Sequence, residues 1–534
     1  MTTHESAEET TTAGAPVAAV VVLAAGGGTR MKSSKSKLLH EVAGKTMLSY
    51  AVAAAQHLTP EHLVVVVGHE REQVLAHLDE IAPHVQTAVQ DQQNGTGHAV
   101  QCGLADLGEL SGEVVVTYGD VPMLTGETLA DLVASHRAGA AQVTVLTARV
   151  PNPTGYGRVI RNGDQVVRIV EQKDASAEEA EVDEINSGIY VFDAATLRHG
   201  LANLTTDNAQ GELYLTDVIR IANERGERVG VHQITDLWQT EGVNDRVQLA
   251  QMNREVNRRI VEKWQRAGVT VQDPDTTWIQ EDVTLERDVT LLRNTSLEGA
   301  TSIGEGAVVG PDTTLIDVEV GAGAHVIRTH GSLAVIGENA EVGPFAYLRP
   351  GTELGAKGKI GTFVETKNAK IGAGAKVPHL SYAGDAFIDE GANIGAGTIF
   401  ANYDGVNKSP SHVGRNAFVG SNSVLVAPVD IADGAFVAAG SAVTEDVPAG
   451  DLAVARGRQH NSSNWIGRTR PGSKWDEAAR GSSGQVHGAV AGKRDELNAP
   501  NQNAQSQNAQ SQNAQNQNAA NQNADNQSNE DGQA

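Results

Sequence analysis

Ile336-Gly337-Glu338-Asn339-Ala340-Glu341-Val342, continued to Val443, is the stretch that decides the fold. Aliphatic residues return there at every sixth position. Ile336, Val342, Leu348, Leu354 and Ile360 form one run, Ile371 and Val377 a second, Ile388 and Ile394 a third. Val413, Val419, Leu425, Ile431, Val437 and Val443 form the fourth. A period of six suits neither a helix nor a half-buried strand, and fixed self-similarity of this kind predicts a β-helix of hexapeptide repeats. Each aliphatic side chain enters the shaft, and a small or turn-forming residue such as Gly337 or Asn339 takes the chain round the corner. Three walls give a coil of about 18 residues that stacks on the next, so the core is continuous. The rhythm slips between Ile360 and Ile371 and between Val377 and Ile388, and breaks between Ile394 and Val413. Asn402-Tyr403-Asp404-Gly405-Val406-Asn407-Lys408 lies in that last gap, and a loop extruded from a stiff solenoid is either a tolerated insertion or a functional element.

Upstream, Val17–Leu23, His62–Val67, Glu113–Thr117 and Gln142–Arg149 are apolar runs, and helical patterns lie between them around 46–58, 71–81, 97–107 and 127–136. Buried strands alternating with helices predict a mostly parallel, Rossmann-like α/β sheet whose ligands bind beyond the carboxyl ends of the strands. Two motifs sit at such ends. Leu23-Ala24-Ala25-Gly26-Gly27-Gly28-Thr29-Arg30-Met31, followed by Lys37, offers backbone N–H groups and two cations to phosphate. It is not a dinucleotide fingerprint, because Met31 stands where the third glycine belongs, and Gly44-Lys45-Thr46 lacks the earlier glycine of a P-loop. Tyr118-Gly119-Asp120 follows the strand ending at Thr117, and Asp120 suits either Mg²⁺ or a turn-capping role.

The composition narrows the classes. At 534 residues the chain needs at least two domains. A net charge of −25 argues against a nucleic-acid partner. The single cysteine, Cys102, excludes a disulfide framework within the chain and suits a reducing cytosol. The acidic, Thr-rich start is not a signal peptide, and the run 17–25 is too short to span a bilayer.

Seven motifs occur in order: the glycine-rich turn, Gln90 with Gly95-Thr96-Gly97-His98, Tyr118-Gly119-Asp120, Gly155-Tyr156-Gly157-Arg158, Glu171-Gln172-Lys173, Asn186-Ser187-Gly188 and Glu241-Gly242-Val243-Asn244. Together they resemble the sugar-1-phosphate nucleotidyltransferases. With the β-helix behind them, the chain from Val17 to Trp465 resembles the bacterial bifunctional family that joins an N-acetylglucosamine-1-phosphate uridyltransferase to a glucosamine-1-phosphate N-acetyltransferase. That resemblance implies a left-handed β-helix, a cytoplasmic homotrimer with neither membrane nor nucleic-acid partner, Mg²⁺ as cofactor, and UTP and acetyl-CoA as co-substrates.

The resemblance also implies site residues. Leu23, Ala24, Ala25, Gly26, Gln90, Gly95, Thr96, Tyr118 and Gly119 belong to the nucleotide site, with Gln90 reading the uracil edge. Arg30 and Lys37 face the triphosphate and act in catalysis. Gly155, Glu171 and Asn186 hold the amino sugar, and Asp120 and Asn244 bind Mg²⁺. Ser36 departs from the family, which has proline there. On the β-helix, Arg349, Lys367, Tyr382 and Asn393 grip glucosamine-1-phosphate and His379 is the base, since an amine must lose a proton to attack a thioester. Ala396, Asn402, Tyr403, Ser421, Ala439 and Arg456 line the acetyl-CoA channel, where a backbone N–H or Asn402 stabilises the oxyanion. Lys408 is a further candidate to reach phosphate or CoA, Trp465 and Arg468 are candidates to reach a neighbouring copy, and His325 and His330 read as structural.

The expected organisation is a disordered start over 1–16, a uridyltransferase domain over 17–246, a linker helix over 247–267, an acetyltransferase β-helix over 268–470 and a disordered Asn/Gln/Ala-rich tail over 471–534. Two rival readings stay open: a nucleotidyltransferase with a purely regulatory β-helix, and a non-catalytic trimeric scaffold.

Overall fold

The computed structural model describes residues 16–482 apart from 69–70 and 164. The expectations for 1–15 and 483–534 lie outside the described residues. Residues up to Arg456 form one compact unit and those from Gly457 a second.

The first unit opens with a nine-stranded sheet. Its strands are β1 (Ala19–Ala24), β2 (His62–Val67), β3 (Gln86–Val89), β4 (Glu113–Tyr118), β5 (Val143–Arg149), β6 (Gly157–Asn162), β7 (Gln165–Val170), β8 (Glu184–Asp193) and β9 (Val229–Ile234). They run in the order β9-β5-β8-β4-β1-β2-β3, with the β6–β7 hairpin attached to β8. The pairings β4–β1–β2–β3 and β9–β5 are parallel, and β8 runs against both its neighbours. Helices α1 (Met47–Gln56), α2 (Arg71–Ile81), α3 (Thr96–Leu104) and α4 (Gly126–Ala138) alternate with these strands, followed by α5 (Ala194–Ala202) and α6 (Asp217–Glu224). Alternation along β1 shows why its sequence is apolar throughout. Val20, Val22 and Ala24 enter one core, and Ala19, Val21 and Leu23 the core on the opposite face.

Helix α7 (Arg246–Arg266) joins the sheet domain to the solenoid. Asp245 caps its first turn through Val247 and Gln248. Met252, Val256 and Ile260 form its buried stripe, and they belong to the same core as the first coils. Asn257 fastens the other side, donating to Thr277 O at 2.8 Å and accepting from Ile279 N at 2.9 Å.

The solenoid is built of parallel coils. Tyr347 pairs with Glu365, Phe418 with Phe436 and Val424 with Ala442, each 18 residues on, which is one turn of three six-residue walls. All fifteen aliphatic residues of the repeat are buried. The rhythm continues through its apparent gaps, because Thr366, Ala383 and Phe400 are the inward residues there, each 0% exposed. At each of the two slips the coil loses one residue, with Glu353 opposite Lys370 at the first and Lys370 opposite Phe387 at the second. At the break the offset rises to 25, as in Ile399–Val424, and the seven additional residues are 402–408.

Two features of the repeat follow from this stacking. The glycine after an inward aliphatic residue lies against the next coil: a Cβ on Gly337, Gly355 or Gly372 would come within 2.6 Å of backbone nitrogen. One corner column is left-handed in every coil, with φ of 53° at Asn339, 57° at Lys357, 65° at Gly374, 70° at Gly391 and 53° at Asn416. Glycine and asparagine dominate that column because they tolerate this region best.

The last solenoid strand is Leu452–Ala453, so the expected boundary at 470 falls inside the second unit. That unit carries α8 (Trp465–Thr469) and α9 (Lys474–Gly481), the latter within the stretch expected to be a disordered tail. The Arg470 guanidinium lies 5.6 Å from the ring centres of both Trp465 and Trp475. Ring stacking on a cation gives this short segment a packing focus that low-complexity sequence lacks.

Candidate active sites

Two adjoining cavities of about 590 and 270 Å³ open at the carboxyl ends of β1 and β4. Thr96, Tyr118, Asp120 and Glu212 border both. The smaller is lined by Leu23, Ala24, Ala25, Gly26, Lys37, Gln90 and Gly95, and the larger by Arg30, Gly155, Glu171, Asn186 and Asn244. Gly119 lies behind this lining, its N–H bonded to Leu23 O at 3.0 Å. Every nucleotide- and sugar-binding residue expected in the α/β domain except Gly119 therefore borders one of the two cavities.

A charged cluster spans the join. Lys37 Nζ donates to Asp120 Oδ2 at 2.5 Å and to Asn244 Oδ1 at 3.3 Å, and Arg30 donates to the same Asn244 oxygen at 2.9 Å. Two acceptor oxygens thus converge on one cation beside a second. The local chain explains the placement. Buried Met31 anchors the loop after β1, and Arg246 at the start of α7 donates to Met31 O at 3.1 Å. Asn244 N donates to Gln248 Oε1 at 2.8 Å, which ties the residue to the same helix. Gln90 Nε2 donates to Gly95 O at 3.1 Å, leaving its amide oxygen for a ligand. Glu171 is pushed up from the ordinary carboxylate range by burial and by nearby Asp174 and Asp217.

Sequence reasoning missed Glu212 and Tyr214. The Tyr214 hydroxyl is buried in the wall of the larger cavity. Leu213 between them is pinned to the 94–97 loop by Leu213 N to Asn94 O and Gly97 N to Leu213 O, both 2.8 Å. The signal was Gly211-Glu212-Leu213-Tyr214 itself, where two polar side chains two positions apart follow a glycine and flank an apolar residue.

On the solenoid the expected residues fall on two edges. Tyr347, Glu365 and Tyr382 are register neighbours on one wall, with Arg349 and Lys367 beside them. Arg349 donates to Glu365 Oε1 at 2.8 Å. The Lys367 amine is held below its ordinary range by the Lys408 amine within hydrogen-bonding reach, so two cations crowd together there. His379 and Asn393 stand on the preceding wall, His379 being exposed and in register with Thr362. Ala396, Ser421 and Ala439 follow one another in successive coils along one edge, linked by Asn422 N to Ala396 O at 2.7 Å and Gly440 N to Ser421 O at 2.8 Å. Arg456 adjoins Gly440 at the end of this column. Asn402 and Tyr403 lie on the extruded loop at another corner. There Asp404 accepts from Val406 N and Asn407 N, and Ser409 N closes the base on Asn402 O.

Comparison with known proteins supports the two-part reading. The MobA-like NTP transferase domain matches residues 20–177, and the hexapeptide repeat of succinyl-transferase matches 410–445. The chain is 56% identical to the bifunctional protein GlmU of Pseudarthrobacter chlorophenolicus, over 85% of this chain and 93% of that one. It is 55% identical to that of Streptomyces avermitilis over 86% and 96%, and 54% identical to that of Corynebacterium aurimucosum over 84% and 94%. At that identity over nearly the whole length of its relatives, the chain belongs to the GlmU family of bifunctional proteins.

Proposed function

We propose that this chain makes UDP-N-acetylglucosamine in two reactions at two sites. The solenoid transfers acetyl from acetyl-CoA to glucosamine-1-phosphate, and the α/β domain then transfers uridylyl from UTP to N-acetylglucosamine-1-phosphate, releasing pyrophosphate. One observation carries the reading: a single chain holds two separate cation clusters, Arg30–Lys37 over Asp120 and Asn244, and Lys367–Lys408 beside Arg349. Each is built for a phosphorylated ligand.

In the α/β domain, Leu23–Gly26, Gly95 and Thr96 hold the nucleotide and Gln90 reads the base. Gly155, Glu171 and Asn186 hold the amino sugar. The sugar phosphate oxygen attacks the α-phosphorus, a P–O bond forms, and the bond to pyrophosphate breaks. Arg30 and Lys37 neutralise the charge that gathers on the leaving group. Among the described residues no cluster of three or more His, Cys, Asp or Glu side chains is poised for a metal. Asp120 and Asn244 nevertheless fit Mg²⁺, because their oxygens already converge on one cation, Lys37 Nζ. Mg²⁺ takes few protein ligands where phosphates supply the others, and would add charge neutralisation.

On the solenoid, Arg349, Lys367, Tyr382 and Asn393 hold the sugar phosphate and His379 takes the proton from the amine. Ala396, Ser421, Ala439 and Arg456 guide acetyl-CoA, with Asn402 and Tyr403 completing the channel. These residues occupy two edges of one prism, which supports a homotrimer in which a neighbouring copy closes each site, with Trp465 and Arg468 reaching across. We place the enzyme in the cytoplasm with its nucleotide and thioester substrates. Among the described residues no helix is long and apolar enough to cross a membrane.

The test assays each half-reaction alone. Glucosamine-1-phosphate with acetyl-CoA is expected to release free thiol, and N-acetylglucosamine-1-phosphate with UTP and Mg²⁺ to release pyrophosphate. Release of pyrophosphate without any acetyl transfer would make the solenoid a scaffold.

A further inference from the structure

Asp385 stands at a solenoid corner, with φ of 48°, directly beneath the extruded loop. Its Oδ1 accepts from Asn368 Nδ2 at 2.8 Å, and its Oδ2 from Asn402 Nδ2 at 2.5 Å. Burial would raise this carboxyl. The amide hydrogen bonds from Asn368 and Asn402 and the charges of Lys367 and Lys408 outweigh it and hold the group below the ordinary range. An ionised carboxylate can only accept hydrogen bonds, so the NH₂ end of Asn402 must face it and the amide oxygen must face away. The backbone at Asn402 has little freedom to undo this. Its N–H bonds to Phe400 O and its carbonyl accepts from Ser409 N, both at 2.9 Å, and Phe400 is wholly buried.

We propose that Asp385 is a positioning residue for acetyl transfer, fixing Asn402 so that its amide oxygen is presented to the amine of the acyl acceptor. The proposal rests on the reading that Asn402 lines the acetyl-transfer site. Of the two oxyanion donors left open by the sequence, a backbone N–H or Asn402, it removes Asn402, whose amide then accepts. A deprotonated amine keeps two N–H groups and a lone pair. Holding one N–H on a fixed oxygen turns the lone pair toward the thioester carbonyl. The C–N bond then forms, the C–S bond breaks, and the surplus proton passes from nitrogen through the base to the departing thiolate.

The Asp385→Asn variant tests this, because Asn368 still donates to the oxygen of residue 385. The new NH₂ then faces Asn402 and turns its amide over, placing an N–H where the oxygen was. The rate of acetyl transfer at saturating substrate is expected to fall about a hundredfold, with uridylyl transfer unchanged. The exchanged pair Asp385→Asn with Asn402→Asp restores an oxygen toward the amine, held by the NH₂ of residue 385. It is expected to recover about tenfold or more over Asp385→Asn alone. Asn402→Ala and the double variant Asp385→Asn/Asn402→Ala are expected to agree within about twofold, since Asp385 acts only through Asn402. An exchanged pair no better than Asn402→Ala, or losses that multiply in the double variant, would overturn the proposal. Full acetyl transfer in His379→Ala would instead remove the site assignment on which it stands.

Discussion

In the α/β domain the charged cluster gathers distant parts of the chain, with Arg30 reaching Asn244 across 214 positions and Lys37 reaching Asp120 across 83. On the solenoid the equivalent groups come from neighbouring coils: Arg349 meets Glu365 across 16 positions, and Asp385 meets Asn402 across 17. The first arrangement depends on a whole sheet and on α7 holding its ends in place. The second depends on coil spacing alone, so each coil adds one rung of functional groups. A solenoid can therefore extend an edge by repetition, as the Ala396–Ser421–Ala439 column does, whereas the sheet makes one cleft at the ends of two strands.

The largest expected effects separate the two regions by activity. His379→Ala is expected to lower acetyl transfer by about 10²–10⁴, the range for loss of a general base, and to spare uridylyl transfer. Asp120→Ala is expected to lower uridylyl transfer by about 10²–10³ and to spare acetylation. Initial rates of both half-reactions in each variant decide this, and loss of both activities from either change would contradict two independent sites.

Stability offers a second way to sharpen the comparison. Phe400 is the bulky member of the column Leu348–Thr366–Ala383–Phe400–Leu425, with small Ala383 one coil below. Phe400→Ala opens a cavity at the base of the extruded loop and is expected to cost about 3–5 kcal/mol. Hydrogen exchange should show the loss in the adjoining coils and leave the sheet domain protected. In the sheet domain, Gly188 has φ of 84° and a Cβ there would lie 2.6 Å from the Tyr118 ring. Gly188→Ala is expected to cost about 1–3 kcal/mol and to lower uridylyl transfer by displacing Tyr118 from the cavity wall.

The smallest effect is one of sign. Burial holds His136, bonded to Thr144 at 2.9 Å, below its ordinary range despite nearby Glu113 and Asp193. Its contribution to stability is present above the unfolded value near 6.5 and is lost as pH falls through the lower folded value. His412 lies between Asp430 and Asp389 at 2.7 and 2.9 Å, and these overcome a burial penalty to raise it. Its contribution is full below about 6.5 and fades as pH rises through the folded value. Unfolding midpoints of His136→Gln and His412→Gln, compared with the parent chain across this range, are expected to diverge in opposite directions.

Much of this was legible in the sequence. The hexad marked the solenoid because an inward side chain must be apolar at every wall. It faltered at Thr366, Ala383 and Phe400, which fill the same shaft without being Val, Ile or Leu. Alternation of apolar runs and helical patterns gave the sheet and its carboxyl ends, and ordered short motifs gave most of the cavity lining. Glu212 and Tyr214 escaped because their positions are set by backbone pairing of Leu213 with the 94–97 loop, a contact across more than 100 residues. The polarity of Asn402 escaped for a similar reason, since Asp385 fixes it from the coil beneath.

Product mass spectrometry on one reaction mixture tests the central claim most directly. Purified protein is incubated with glucosamine-1-phosphate, acetyl-CoA, UTP and Mg²⁺, with and without EDTA. Two sites with a metal requirement confined to the first domain predict UDP-N-acetylglucosamine with Mg²⁺ and accumulation of N-acetylglucosamine-1-phosphate with EDTA. Absence of any acetylated sugar, in a preparation that still uridylylates supplied N-acetylglucosamine-1-phosphate, would contradict it.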